Sequence, residues 1–295
     1  MTELLIPEDR IRELISDVAG LDKLVDAPLV VVSAGMYPDP TGTDKSRYAA
    51  ARQFAESSGL TGVAHIFMLD DKSHHDVAPT LSGLGGIVVP VRNATEGGLA
   101  RPYMTAARLI DQINPGALMV KVEAEKDLSD CVGNAKGLLE AAAEFDVITG
   151  VRDWHTQESM PHYLRLTEAI LAAAIRDLTG TFDAASGVLA LTARGRQIFL
   201  RNTDPKWQYL IKTPLAARLA GLRVGEVDVR FDYHPDVVLE ENGNPDVDSK
   251  RRDQFDLMLE CAIEAVGGED SLNGHQLQTV ASARSALAAL HGLAA

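Results

Sequence analysis

The stretch ALMVKVEAEKDLSD, residues 117–130, has two halves of opposite character. Ala117 to Val122 is a nearly continuous apolar run of strand length, the pattern of a strand covered on both faces. The second half carries four acids in eight residues: Glu123, Glu125, Asp127 and Asp130. Like charges this close repel one another unless water, a basic partner or a cation compensates them. Side chains alternate along an extended chain, so Glu123, Glu125 and Asp127 project to one side. Three carboxylates placed in this way suit a hard divalent cation. The other reading is a solvated acidic turn leading into a helix at Val132, with Asp130 near its N-terminus.

The same kind of apolar run recurs along the chain. LVVVSA (29–34), AHIFML (64–69), GIVVPV (86–91), DVITGV (146–151), GVLALT (187–192) and VGEVDVRF (224–231) join 117–122 as expected strands. Helices fit between them. Asp44 is placed to start one through RYAAARQFAE, GGLARPYMTAARLIDQI opens another after two glycines, and a third follows from Val132 to Glu144. Longer ones are expected over 161–178 and 250–266. Strand and helix in alternation predict an open, mostly parallel α/β sheet with helices on both faces. The two ends add helical segments: 1–27 is amphipathic through Ile11, Leu14, Ile15 and Val18, and the end of the chain is Ala-rich.

The 295 residues are 46% apolar, enough for a substantial core. No apolar run approaches eighteen residues, so no transmembrane helix is expected. The first residues alternate acids with aliphatics and lack the basic start and apolar middle of a signal peptide, which predicts a cytoplasmic protein. Cys131 and Cys261 are too far apart in sequence for a metal-site spacing or a disulfide framework. A formal charge of −14 argues against general nucleic-acid binding, which needs clustered Lys and Arg.

In open α/β sheets ligands bind beyond the carboxyl ends of the strands. The acidic stretch lies there, and so do Asp70 and Asp71 in LDDKS (69–73), which suggests one shared site. Asp-Asp-Lys-Ser is equally good turn chemistry. No GxGxxG follows the first strand and there is no GxxxxGK[ST], so neither a dinucleotide fingerprint nor a P-loop is present. Arg101 at a glycine-rich helix start and Arg152 after 146–151 present planar forks of donors suited to phosphate. His74 and His75 are adjacent, so their side chains are expected to point apart on the surface.

Taken in order, DDKS (70–73), NATEGGLAR (93–101), VEAEKD (122–127), FDVITGVRD (145–153), DAASGVLALT (183–192) and AGLRVGEVDVRF (220–231) resemble the motif series of GT-A-type family 2 glycosyltransferases, particularly the dolichol-phosphate mannose synthase-like branch. The resemblance spans roughly residues 29–232. It departs from the family where EAE stands for the usual DAD metal motif, and where SAGMYPDPTGTDKSRY replaces the usual turn after the first strand. The resemblance implies a GT-A-like fold and transfer of a sugar from a UDP- or GDP-linked donor, by inversion. It implies a Mg²⁺ or Mn²⁺ ion held by Glu123, Glu125 and Asp127, Glu125 foremost, and nucleotide-sugar contacts at Ser33, Asp70, Asp71, Arg101 and Arg152. A hydroxyl acceptor needs a base, for which Asp204 and Asp183 are the candidates; a phosphate acceptor needs none. Asp232 and His234 in FDYHPD (231–236) are candidate lid or metal-binding residues. A nucleotidyltransferase acting on a sugar phosphate, and a non-catalytic nucleotide-sugar-binding protein, are the competing readings.

The expected organisation is an N-terminal helical extension (1–27), a GT-A-like domain (28–235) and a C-terminal helical extension (236–295). The C-terminal helix is poor in large apolar residues and lacks a Lys-rich face, which makes it a weak membrane binder, so the acceptor is expected to be small and soluble. Leu277, Val280, Ala283, Leu287 and Leu290 share one face of the last helix. That face either packs back on its own domain or meets its copy in a homodimer.

Overall fold

The computed structural model describes residues 17–42, 44–91, 100–123, 126–127, 131–180, 186–201 and 208–294. Its strands are Leu29–Gly35 (β1), Ala64–Asp70 (β2), Ile87–Val91 (β3), Leu118–Lys121 (β4), Lys126–Asp127 (β5), Val147–Arg152 (β6), Leu189–Leu191 (β7), Val224–Val229 (β8) and Asp232–Tyr233 (β9). Its helices are Lys45–Thr61 (α1), Val77–Gly83 (α2), Ala100–Ile113 (α3), Cys131–Ala141 (α4), Trp154–Ser159 (α5), His162–Thr179 (α6), Ala193–Phe199 (α7), Tyr209–Leu219 (α8), Pro235–Glu241 (α9), Pro245–Ala265 (α10) and Gly274–Ala294 (α11). All seven expected strands form, within a few residues of their expected bounds. The two-residue strands β5 and β9 were not anticipated.

The main sheet runs β3-β2-β1-β4-β7-β6-β8. Its strand pairs are parallel except at β7, which is antiparallel to both β4 and β6. Period-two alternation sends each strand's residues to opposite faces. Val30 and Val32 of β1 enter one apolar cluster with residues of α3, α6, α8, α10 and α11. Leu29 and Val31 enter the other, with residues of α1 and α4. Helices cover both faces, which is why the strands read as continuous apolar runs and not as alternating ones.

Local signals set several helix ends. Gly180 closes α6 in the left-handed conformation at φ 88°, donating its N–H to Arg176 O, and lacks the Cβ that would be strained there. Pro245 at the first position of α10 follows Asn244, whose side chain accepts from Asp246 N at 3.1 Å.

The terminal segments use this same core. Leu21 and Leu24, on a 3₁₀ turn over Leu21–Leu24, are buried, and Val18 packs against the first cluster. Val18 lies outside regular helix, and Ile11, Leu14 and Ile15 lie outside the described residues. Along α11, Val280, Ala283 and Leu287 are buried, whereas Leu277 stays 46% exposed. The apolar face of the last helix thus packs mainly back on its own chain, against α6.

Candidate functional site

The parallel strands β1, β2, β4 and β6 end on one edge of the sheet, where Asp70, Glu123 and Arg152 lie. Asp70, the last residue of β2, is only 1% exposed. Its Oδ1 accepts from Lys72 N at 2.9 Å, a turn closed also by Ser73 N to Asp70 O at 3.0 Å. Its Oδ2 is buried and has no partner among the described residues. A buried carboxylate oxygen left unmet costs about 1–3 kcal/mol or more, so this atom is poised for an incoming donor. Asp71 is exposed and its backbone N–H donates to Val91 O. Ser33 sits one layer below, fully buried, with its hydroxyl 3.1 Å from Nε2 of His65.

Glu123 follows β4 directly. Its Oε1 lies 3.5 Å from Nζ of Lys121, and its side chain is 21% exposed. Lys121 is buried; its ammonium donates to Gly187 O at 2.8 Å and stands 5.3 Å from the centre of the Tyr103 ring. Part of the charge compensation that the acidic stretch requires is therefore internal and comes from the strand itself. Lys121 is the one charge inside ALMVKV, and that break in the apolar run is the sequence signal for it. Glu125 and Asp130 lie outside the described residues, as do Asp183 and Asp204. The backbone of Asp127 pairs with Asp232, and Lys126 with Tyr233, which ties the segment after Glu123 to 232–233. His234 begins α9, its Nδ1 accepting from Asp236 N at 3.3 Å.

Arg152 ends β6 and is buried. Its Nη1 donates to Glu168 of α6 and lies 3.5 Å from Met160 Sδ. Nearby, Arg251 of α10 donates from Nη2 to both oxygens of Glu241, at 3.1 and 3.2 Å. Burial pulls this guanidinium down, but the carboxylates of Glu241, Glu168 and Glu123 outweigh burial and hold it above its ordinary value. The same glutamates thus link the ends of β4 and β6 to the C-terminal segment. Burial, then Glu123, raises the Tyr209 phenol. Glu168, Glu241 and Arg251 carry no local motif, so nothing in the sequence singles them out. Ser46 Oγ donates to Glu240 at 2.7 Å, fastening α9 to the start of α1.

Arg101, the second residue of α3, is half-buried, and its Nε has no partner among the described residues. His74 and His75 do not diverge as expected. Their rings lie 4.1 Å apart, inclined by 34°.

The strand order, the antiparallel β7 and the flanking helices define a GT-A-like fold, with Asp70 and Glu123 at the carboxyl ends of its parallel strands. Among solved structures the chain is similar to glucosyl-3-phosphoglycerate synthase from Mycobacterium tuberculosis, with a TM-score of 0.54 at 14% identity, covering 88% of this chain and 86% of that one. The same enzyme in complex with Mn²⁺, uridine diphosphate and phosphoglyceric acid matches at TM-score 0.52 and 13% identity, over 88% and 84% of the two chains. Its complex with Mn²⁺, UDP-glucose and glycerol 3-phosphate matches at 0.51 and 13%, over 90% and 88%. At these identities the likeness is one of fold. No protein-family model matches the sequence, and no curated protein does. No described helix is long and apolar enough to cross a membrane.

Proposed function

We propose that the chain is a metal-dependent, inverting glycosyltransferase that moves a sugar from a UDP- or GDP-linked donor to a small acceptor. The observation that carries this reading is Asp70. Its carboxylate oxygen is buried and unmet at the end of β2, on the sheet edge where Glu123 leaves β4. An N–H of a nucleobase or a ribose hydroxyl answers that oxygen. The six ordered motifs support a family 2 reading near the dolichol-phosphate mannose synthase-like branch. The neighbours' complexes with UDP, Mn²⁺ and small phosphorylated acids support a phosphate-bearing soluble acceptor.

The donor set at the end of β4 suits a hard cation: a partly exposed carboxylate at Glu123, followed in sequence by Glu125 and Asp127. Glu123, Glu125 and Asp127 would hold Mg²⁺ or Mn²⁺, which would supply counter-charge to a leaving diphosphate. Asp70 and Asp71 orient the nucleoside. Arg101, and Arg152 held by Glu168, supply cationic N–H donors to the phosphates of the sugar donor. The acceptor oxygen attacks the sugar C1 opposite the departing diphosphate, and Asp204, or failing it Asp183, takes the proton of a hydroxyl acceptor. Ser33 supports the floor of the site through His65. The protein works in the cytoplasm, and a homodimer, if formed, uses surfaces left over once α11 has packed on α6.

Incubation with a panel of nucleotide sugars, Mn²⁺ and small phosphorylated acceptors should release nucleoside diphosphate. Release of pyrophosphate from a nucleoside triphosphate and a sugar 1-phosphate, with no diphosphate released from nucleotide sugars, would establish a nucleotidyltransferase in its place. Glu125→Ala should lower turnover by about 100-fold or more, the loss typical of one electrostatic contact to developing charge. It should also abolish the difference in UDP affinity between Mn²⁺ and EDTA. Binding that ignores the metal in both proteins contradicts the assignment.

Asp70→Ala tests the nucleotide role separately. Calorimetric titration with UDP or GDP should show affinity weakened by about 10-fold or more, the equivalent of 1.4 kcal/mol. Stability should change little, because the substitution removes the unmet buried oxygen together with the one that accepts from Lys72 N. Unaltered nucleotide affinity removes Asp70 from the site.

A further inference from the structure

The sequence His74-His75-Asp76 plays no part in the glycosyl-transfer reading. It lies in the turn between β2 and α2, and it brings three metal-ligating groups together. One nitrogen from each imidazole and one carboxylate oxygen all lie within 4.8 Å of one another. The carboxylate approaches both rings: Oδ2 is 3.7 Å from His74 Nδ1, which also accepts from Asp76 N at 3.3 Å, and Oδ1 is 3.4 Å from His75 Nε2. Ligands bound at about 2.0–2.2 Å in a tetrahedral site are separated by roughly 3.3–3.6 Å; each histidine nitrogen lies near that distance from one carboxylate oxygen, and a single three-atom set has to close from within 4.8 Å. The side chains reach solvent, at 38% and 82% for the histidines and 72% for Asp76, and rotation about their own bonds supplies that closure.

Two further features point the same way. Asp76 occupies the N-cap position of α2, where a carboxylate ordinarily accepts from a helix amide, yet its side chain makes no capping bond. It faces the imidazoles. The backbone beneath is held firmly: His74 N donates to Tyr37 O at 2.9 Å, Tyr37 N donates to Ser73 Oγ at 3.1 Å, and Val77 N donates to His74 O at 3.0 Å. An anchored turn lets adjacent histidines keep their rings on one side.

We propose that His74, His75 and Asp76 form a binding site for a divalent transition-metal ion of the zinc type. Two neutral imidazoles and one carboxylate suit Zn²⁺, Co²⁺ or Ni²⁺ and leave positions open to water. Mg²⁺, which prefers an all-oxygen set, fits it poorly. The site is therefore chemically distinct from the all-carboxylate set after β4, and it stands or falls apart from the glycosyl-transfer reading.

The test titrates the full-length, metal-free protein with Zn²⁺ and with Co²⁺, by calorimetry and by the visible absorption of bound Co²⁺, in excess Mg²⁺. One equivalent should bind. The double variant H74A/H75A should lose that equivalent, and Asp76→Asn should weaken it by about 10-fold. Glu125→Ala should bind as the parent does. His75 and Asp76 are exposed and His74 half-buried, and circular dichroism verifies that the variants fold. Absence of a stoichiometric equivalent, or an equivalent that persists in the double variant, overturns the proposal.

Discussion

Arg196→Met is expected to destabilise the protein by about 3–5 kcal/mol, the usual consequence of removing one partner from a buried charge pair. Arg196 lies on α7 and is 0% exposed. Its Nε donates to Asp111 Oδ1 at 2.6 Å, at the end of α3. Nη2 donates to Pro115 O at 2.7 Å, and Nη1 to Ala117 O at 2.5 Å and Leu191 O at 3.4 Å. One planar fork thus joins the C-terminal turn of α3, the entry into β4 and the exit from β7. Methionine has similar length but meets none of these oxygens. Asp111→Asn should cost less, about 1–2 kcal/mol, because the carboxylate is 21% exposed and also accepts from Gln197 Nε2. Urea unfolding of the two variants decides the matter, and an Arg196→Met loss under about 1 kcal/mol would show that the clamp is unimportant.

Acid is expected to weaken the fold through His65. The ring is buried on β2 between Phe54 and Phe67, with centroids at 4.4 and 3.9 Å, and it shares a hydrogen bond with Ser33. Its Nδ1 has no partner among the described residues. Burial lowers its pKa from 6.5 to about 3. The native protein therefore keeps His65 neutral where the unfolded chain already takes up a proton. Stability is complete above pH 6.5 and falls as the pH drops from 6.5 towards 3. At one pKa unit per 1.36 kcal/mol, the ceiling is about 5 kcal/mol, of which about 2 kcal/mol is lost between pH 7 and 5. His65→Gln retains an amide for Ser33 and removes the titration. Its unfolding free energy should therefore fall by about 2 kcal/mol less than the parent's over pH 7 to 5. Equal losses in the two proteins would mean that His65 is not the source.

The same two residues show where reading by sequence stops. Arg196 sits in LTARGRQIF and His65 in AHIFML, and neither stretch tells a buried partner from an exposed one. Asp111 is 85 residues from Arg196, and Ser33 is 32 from His65. Asp70 and Glu123, by contrast, were legible because an abrupt change from apolar to acidic marks the end of a strand, and strand ends carry the sites of α/β sheets. Convergence of Glu123 with Glu168, Glu241 and Arg251 was not, because it depends on how α6, α9 and α10 pack.

By itself the sequence determined the seven strands of the main sheet, the principal helices and the strand ends at which its acidic residues stand. Apolar run length, helical periodicity and capping residues act over a few positions, so they survive in a linear reading. Only the tertiary structure decided the rest. It turned β7 antiparallel between β4 and β6, drew α10 and α11 into the sheet's own core, and set His74 against His75. It also placed the ammonium of Lys121 beside Glu123. A strand's direction of pairing and a buried charge's partner are settled by segments tens of residues away, where the desolvation cost of an unmet group selects among packings that local sequence leaves equivalent.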